Sequence, residues 1–268
     1  MKTCEGTSLL TPKSRKTIIY SLRENPMNET EIESIAQSSL PLMNPVTPEM
    51  IRQAGDLARL PKKAVVYDIG CGNTTLLVLW HRAFGITGIG IEQRHESVIR
   101  ARQACATAGK KITIIEGDAA VWKPESPADC TVAIGSAFIF GGAVESLPHL
   151  ASITKPGGTI VLGDRYWQTD RVPPEFAVQW SEIPTEYGLI AAARDFGLTL
   201  NGVIRASPAD HDTYESAIWR NCSDWLTAHP DHPEREEMEE YLCRIQDEYL
   251  VYGREAFGWA CWIFVKGE

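Results

Sequence analysis

Four short segments of this 268-residue chain put acids and glycines where a nucleoside could be held. Asp68-Ile69-Gly70-Cys71-Gly72-Asn73 ends an apolar run with a glycine turn. Such a turn lets the backbone approach a ligand closely and aims a helix N-terminus at it. Glu92 follows about 20 residues beyond the glycines, the spacing at which an acid ending a second strand accepts hydrogen bonds from ribose hydroxyls. Gly117-Asp118-Ala119 offers a further acid, suited to an adenine amino group, and Gly135-Ser136 a further turn. The glycine pair alone is equally readable as an ordinary tight strand-to-helix turn. Four such segments at one sheet edge are more informative, because open α/β sheets bind ligands beyond the carboxyl ends of their strands.

A dinucleotide-binding turn is the rival reading. Its fingerprint needs a third glycine, and Thr75 stands at that position. Asp68, immediately before the turn, would face a pyrophosphate unfavourably and suits a cationic amine better.

The elements that must position these residues alternate. Apolar runs at 64–69, 88–92, 112–116, 130–134 and 159–163 read as buried parallel strands, with helices over 76–84, 96–108 and 142–153 between them. Repeated strand–helix units with short connections imply a parallel sheet with helices on both faces. Beyond it come a helix at 185–196, a strand at 200–206 and an apolar, aromatic strand at 257–265. At the other end, 13–23 has helical spacing, Asn28 with Glu31 has the form of a helix start, and Thr47-Pro48-Glu49 is another. Residues 210–252 are a long polar stretch with helical patterns at 214–226 and 234–249, and Asp212 with Glu215 as the expected capping pair.

With these residues in view, the chain resembles the class I methyltransferase family through Asp68-Ile69-Gly70-Cys71-Gly72, Glu92, Gly117-Asp118-Ala119 and Lys155-Pro156-Gly157-Gly158, over roughly residues 44–163. The resemblance implies an α/β fold: a Rossmann-like, mostly parallel seven-stranded sheet with an antiparallel last strand, N-terminal helices and a helical lid inserted before that strand. Residues 1–60 would form an N-terminal helical cap and 61–268 the methyltransferase domain, with the insertion at about 208–253. It implies S-adenosyl-L-methionine as cofactor and S-adenosyl-L-homocysteine as product. Asp68 would lie near the methionine amino group, Gly70, Cys71 and Gly72 under the cofactor, Glu92 with Gln93 on the ribose, and Asp118 with Ala119 near adenine, Gly135 completing the set. Two departures stand out. Asn73 replaces a frequent third glycine and would have to tolerate an unusual backbone angle, and Gln93 replaces a second acid or hydroxyl.

Methyl transfer from a sulfonium starts from an activated donor, so the protein must chiefly align nucleophile and methyl carbon and exclude water. Phe138, Phe140 and Trp167 are candidates for the acceptor wall, and Tyr166 for orienting a nucleophile; simple packing of these aromatics is the alternative. The segments 136–142 and 163–167 also resemble a largely uncharacterised prokaryotic methyltransferase group with a G-E-P-[YF]-W-like motif, from which Asp164 and Arg165 depart. An insertion of ~40 residues is long enough to be functional, as a lid over the pocket or as a dimer contact. His211, at its start, is a candidate general base or a surface-loop histidine. His229 and His232 read as a turn, too few for a metal, and no metal is expected. Arg254 is a candidate reader of a charged acceptor, or a structural ion-pair partner.

A net charge of -9 disfavours a nucleic-acid substrate. Seven scattered cysteines without a CxxC pair suit a reducing compartment, and no run of ~18 apolar residues is present. The expectation is a cytoplasmic enzyme that methylates a small molecule, with no membrane partner and with a homodimer as one option. An S-adenosylmethionine-binding regulatory protein without turnover and an RNA methyltransferase are the alternatives.

Overall fold

The computed structural model describes residues 29–106 and 111–268. The expected helix at 13–23, the Asn28 cap and the end of the 96–108 helix lie outside them. The sheet is built from β1 (Val65–Ile69), β2 (Thr87–Glu92), β3 (Ile112–Glu116), β4 (Ala128–Ile134), β5 (Thr154–Trp167), β6 (Leu198–Arg205) and β7 (Phe257–Lys266). Their order is β3-β2-β1-β4-β5-β7-β6. Neighbours from β3 to β5 pair in parallel, and β7 runs antiparallel to both β5 and β6. The order reverses between β1 and β4, and this switch point opens a crevice at the strand ends.

Among the described residues the α-helices of four or more residues are α1 (Glu29–Ala36), α2 (Pro48–Leu57), α3 (Thr75–Phe84), α4 (His95–Cys105), α5 (Ala143–Ser152), α6 (Pro174–Ala177), α7 (Glu186–Asp195), α8 (Pro208–Ala228) and α9 (Arg235–Glu248). Side chains alternate across each strand, so the sheet feeds two cores. Val161 joins Val66, Val132, Ile51, Leu77 and Trp80 under α2 and α3. Ile160 and Leu162 join Leu147, Leu150, Leu189 and Phe264 under α5 and α7. Thr47 caps α2 as expected, its hydroxyl accepting from the Met50 amide at 3.1 Å.

A third apolar cluster lies away from the sheet. Ile32 and Ala36 of α1 pack with Ile218, Cys222 and Leu226 of α8 and Met238 of α9. The Asn221 amide donates to the Ala36 carbonyl at 2.8 Å, and Ser39 donates to Asn221 at 2.8 Å. The two described helices of segment 1–60 thus go to different places: α1 joins the inserted helices, whereas α2 packs on the sheet. The start of α8 corrects the expected Asp212–Glu215 cap. Ser207 and Asp210 form a reciprocal capping box a turn earlier, because Pro208 provides a preformed first position. Asp212 instead accepts from the Tyr249 hydroxyl at 2.8 Å.

Candidate active site

The loop after β1 is shaped by backbone angles that side chains disfavour. Gly70 (φ +68) and Gly72 (φ +51) are both left-handed, and a Cβ on Gly70 would stand 2.6 Å from that of Ser136. The third left-handed residue is Thr74 (φ 58), not Asn73. Asn73 is not left-handed, and its side-chain amide donates to the Leu40 carbonyl at 3.0 Å. The Cys71 amide donates to the Ile91 carbonyl at 3.0 Å, which brings the loop over the end of β2.

Glu92 is the second tie. Its Oε2 accepts from the Gly72 amide at 2.9 Å, and its Oε1 accepts from the Arg94 amide at 2.8 Å. Arg94 Nε also donates to Oε1 at 3.3 Å; Glu92 is 5 % exposed, yet three hydrogen bonds leave its carboxylate acceptor capacity for hydroxyls. Asp68 is 4 % exposed and lines the same space. Burial and then the neighbouring Glu92 push its carboxyl up to about 7. The same causes, with Asp68 itself, raise the Cys71 thiol. Glu92 is paired with Arg94 at 3.3 Å, but among the described residues Asp68 has no ion-pair partner, so its buried carboxylate demands a cation when ionised. An amine or sulfonium meets that demand; a pyrophosphate does not.

These residues open into one cavity of about 990 Å³. All nine expected cofactor residues line it: Asp68, Gly70, Cys71, Gly72, Glu92, Gln93, Asp118, Ala119 and Gly135. Gln93 and Asp118 are exposed, Asp118 accepting from the Ala120 amide at 2.8 Å. Gly135 (φ +66) sits against Asn44, whose amide donates to the Ile134 carbonyl at 3.3 Å.

The expected acceptor residues divide. Phe138, 77 % exposed, and His211 reach the cavity. Burial pushes the His211 imidazole down, so it is neutral near pH 7. Phe140 points away, stacked on His149 with ring centres 4.5 Å apart, and faces a separate cavity of about 320 Å³. Tyr166 and Trp167 are corrected: β5 runs on to Trp167, paired with β7, and neither ring lines the cavity, because each is taken up by aromatic packing. Tyr166 packs edge-on to Trp262, opposite Gly258, where any Cβ would strike its ring. Trp167 stacks on Phe257 at 5.1 Å. Arg254 is held outside by Asp212 at 3.1 Å and Glu255 at 3.3 Å, a structural role.

Of the segment at 163–167, Asp164 and Arg165 line the cavity from β5. Tyr214, Glu215, Ile245 and Glu248 reach it unforeseen from α8 and α9. Burial, then Glu248, pushes the Glu215 carboxyl up to about 7, and burial also raises Glu248. The signal was available: His211, Glu215 and Ile218 recur at one helical face, as do Tyr241, Ile245 and Glu248. His229 and His232 fall between α8 and α9 as expected, and among the described residues no group of side chains is arranged to hold a metal. No described helix is long and apolar enough to cross a membrane.

Comparison with known proteins agrees with this geometry. Residues 66–158 match the family described as Methyltransferase domain. The uncharacterized protein YjhP of Escherichia coli K12 is 29% identical over 246 residues, covering 89% of this chain and 99% of that protein. Its X-ray structure superimposes with a TM-score of 0.81. A Geobacter sulfurreducens structure described as a SAM-dependent methyltransferase in complex with S-adenosyl-L-homocysteine is 29% identical, covers 89% of this chain and 99% of its own, and gives a TM-score of 0.81. A Thiobacillus denitrificans structure of the same description is 28% identical, with coverage of 87% and 97% and a TM-score of 0.80. The matched segment runs through the glycine loop and both acidic strand ends, and along almost its whole length the chain resembles class I S-adenosylmethionine-dependent methyltransferases in sequence and fold.

Proposed function

We propose that this enzyme transfers the methyl group of S-adenosylmethionine to a small-molecule acceptor enclosed beneath α1, α8 and α9. One observation carries the reading: the acid-and-glycine rim of the sheet and the polar faces of α8 and α9 line a single cavity. A cavity of about 990 Å³ has room for a cofactor and a small acceptor together. The Geobacter and Thiobacillus neighbours, both bound to S-adenosylhomocysteine, support the cofactor assignment.

In this reading Asp68 holds the methionine amine, Glu92 and Gln93 the ribose hydroxyls, and Asp118 and Ala119 the adenine edge. Gly70, Cys71, Gly72 and Gly135 let the backbone approach without obstruction. S-adenosylmethionine supplies the activated methyl group when bound. The chain's residues then have three tasks: to align the acceptor, to exclude water and to take up a proton. Neutral His211 is the candidate proton acceptor. α1, α8 and α9, joined by their own apolar cluster, act as the lid. Calorimetry of the folded protein tests the reading. Micromolar binding of S-adenosylhomocysteine is expected, and no binding of either S-adenosylhomocysteine or S-adenosylmethionine would refute it.

A further inference from the structure

Arg165 is unused by the cofactor half of the cavity. Its backbone amide donates to Asp164 Oδ1 at 2.7 Å, which fixes its place on β5 opposite Trp259. The guanidinium carbon lies 4.3 Å from the ring centre of Trp180 and 5.4 Å from that of Phe257. Stacking of this kind orients the plane of the guanidinium while leaving its five in-plane N–H donors available. Among the described residues Arg165 forms no ion pair, and its guanidinium makes no hydrogen bond. Glu215 of α8 and Glu248 of α9 lie close enough to interact with its charge, yet neither closes on it. A cationic fork held on an aromatic platform in a cavity is built to take a planar anion in bidentate fashion.

The surrounding wall narrows which anion. Asp164, Glu182, Glu215 and Glu248 line the cavity with Arg165. A simple carboxylate would gain the guanidinium but meet these acids, and a simple amine would gain the acids but leave the guanidinium unpaired. A molecule bearing both groups satisfies both.

We propose that Arg165 anchors the carboxylate of the methyl acceptor while its amine lies toward Glu215 and Glu248, so that the acceptors are small amino-carboxylates. This rests on the methyl-transfer reading above and narrows it. In the step, the amine lone pair forms the new nitrogen–carbon bond. The carbon–sulfur bond breaks with its electron pair staying on sulfur, and the proton lost from nitrogen passes to His211, which lines the same cavity, and from there to solvent.

The test titrates S-adenosylhomocysteine-loaded wild type, Arg165→Met and Arg165→Lys by calorimetry. The probes are glycine, 4-aminobutanoate and 3-(aminomethyl)benzoate, each beside its counterparts lacking the carboxylate or the amine. At least one amino-carboxylate should bind wild type about tenfold or more tighter than both counterparts. Arg165→Met should lose about tenfold or more of that affinity, Arg165→Lys should keep part of it, and both should hold S-adenosylhomocysteine within about threefold of wild type. Equal binding of the counterparts, or no binding by any amino-carboxylate, overturns the proposal. So does a drop in S-adenosylhomocysteine affinity on losing Arg165, which would move that residue to the donor. Failure of wild type to bind S-adenosylhomocysteine at all is a different result and defeats the underlying reading.

Discussion

Glu92 Oε2 accepts the Gly72 amide proton at 2.9 Å, so the acid at the end of β2 and the glycine loop after β1 are locked as one unit. Each holds the other in place at the rim of the cavity. Glu92→Ala removes both the loop tie and the proposed ribose acceptor, whereas Gln93→Ala removes only an exposed side chain. Affinity for S-adenosylhomocysteine should fall about tenfold or more in the first and about threefold or less in the second, measured by calorimetry. The opposite order would contradict the ribose assignment.

Asp68 gives a pH dependence of known sign. Its carboxyl is raised from 3.8 to about 7 by burial and by Glu92. Its contribution to stability is therefore fully present below pH 3.8 and is lost as the pH rises through about 7, because the folded protein must carry a buried charge the unfolded chain tolerates. The melting temperature of ligand-free wild type should fall relative to that of Asp68→Asn between pH 4 and 8. A cationic amine binds the ionised carboxyl, so S-adenosylmethionine affinity should rise with pH through about 7 in wild type and lose that rise in Asp68→Asn. Parallel pH profiles in the two proteins would dismiss the Asp68–amine contact.

Gly70→Ala should destabilise the fold by about 1–3 kcal/mol in denaturant titrations. A side chain is strained at φ +68, and its Cβ would meet Ser136. A neutral outcome would mean that the loop relaxes freely.

The inserted helices depend on α1. Asn221→Ala removes the bond to the Ala36 carbonyl and the one from Ser39, a loss of about 1–2 kcal/mol. Amide exchange should quicken in residues 29–40 and 208–228 while β1 and β4 stay protected. Uniform loss of protection across the sheet would show that α1, α8 and α9 are not a separable lid.

Tyr166 and His211 separate packing from chemistry. Tyr166→Phe keeps the ring against Trp262 and should change kcat less than about threefold. His211→Gln should lower kcat by about 100-fold, the low end for losing a general base. Equal effects would restore Tyr166 to the reaction.

The sheet and the cofactor half were legible in the sequence because both rest on short-range physics. Apolar runs of strand length, glycines at forced angles and acids at strand ends declare themselves locally. The acceptor half depends on where chain segments stop. The apolar run read as ending at residue 163 is continued to Trp167 by pairing with β7, and the Tyr166 and Trp167 rings are taken up by aromatic packing. Ser207-Pro208 moved the start of α8 one turn earlier than Asp212 suggested. The left-handed angle fell on Thr74, and the Asn73 side chain donates to a distant carbonyl, that of Leu40. The β5 extension is set by a strand far away in the chain, which local pattern cannot supply; the Ser207–Asp210 capping box is itself local.

The most direct test is a crystal structure of the protein with S-adenosylhomocysteine. The adenosyl group should lie between Glu92 and Asp118, the methionine amine should lie on Asp68, and the sulfur should face the side of the cavity that holds Arg165 and His211. Density for the ligand anywhere outside that cavity, or with its sulfur turned away from Arg165 and His211, would contradict the account.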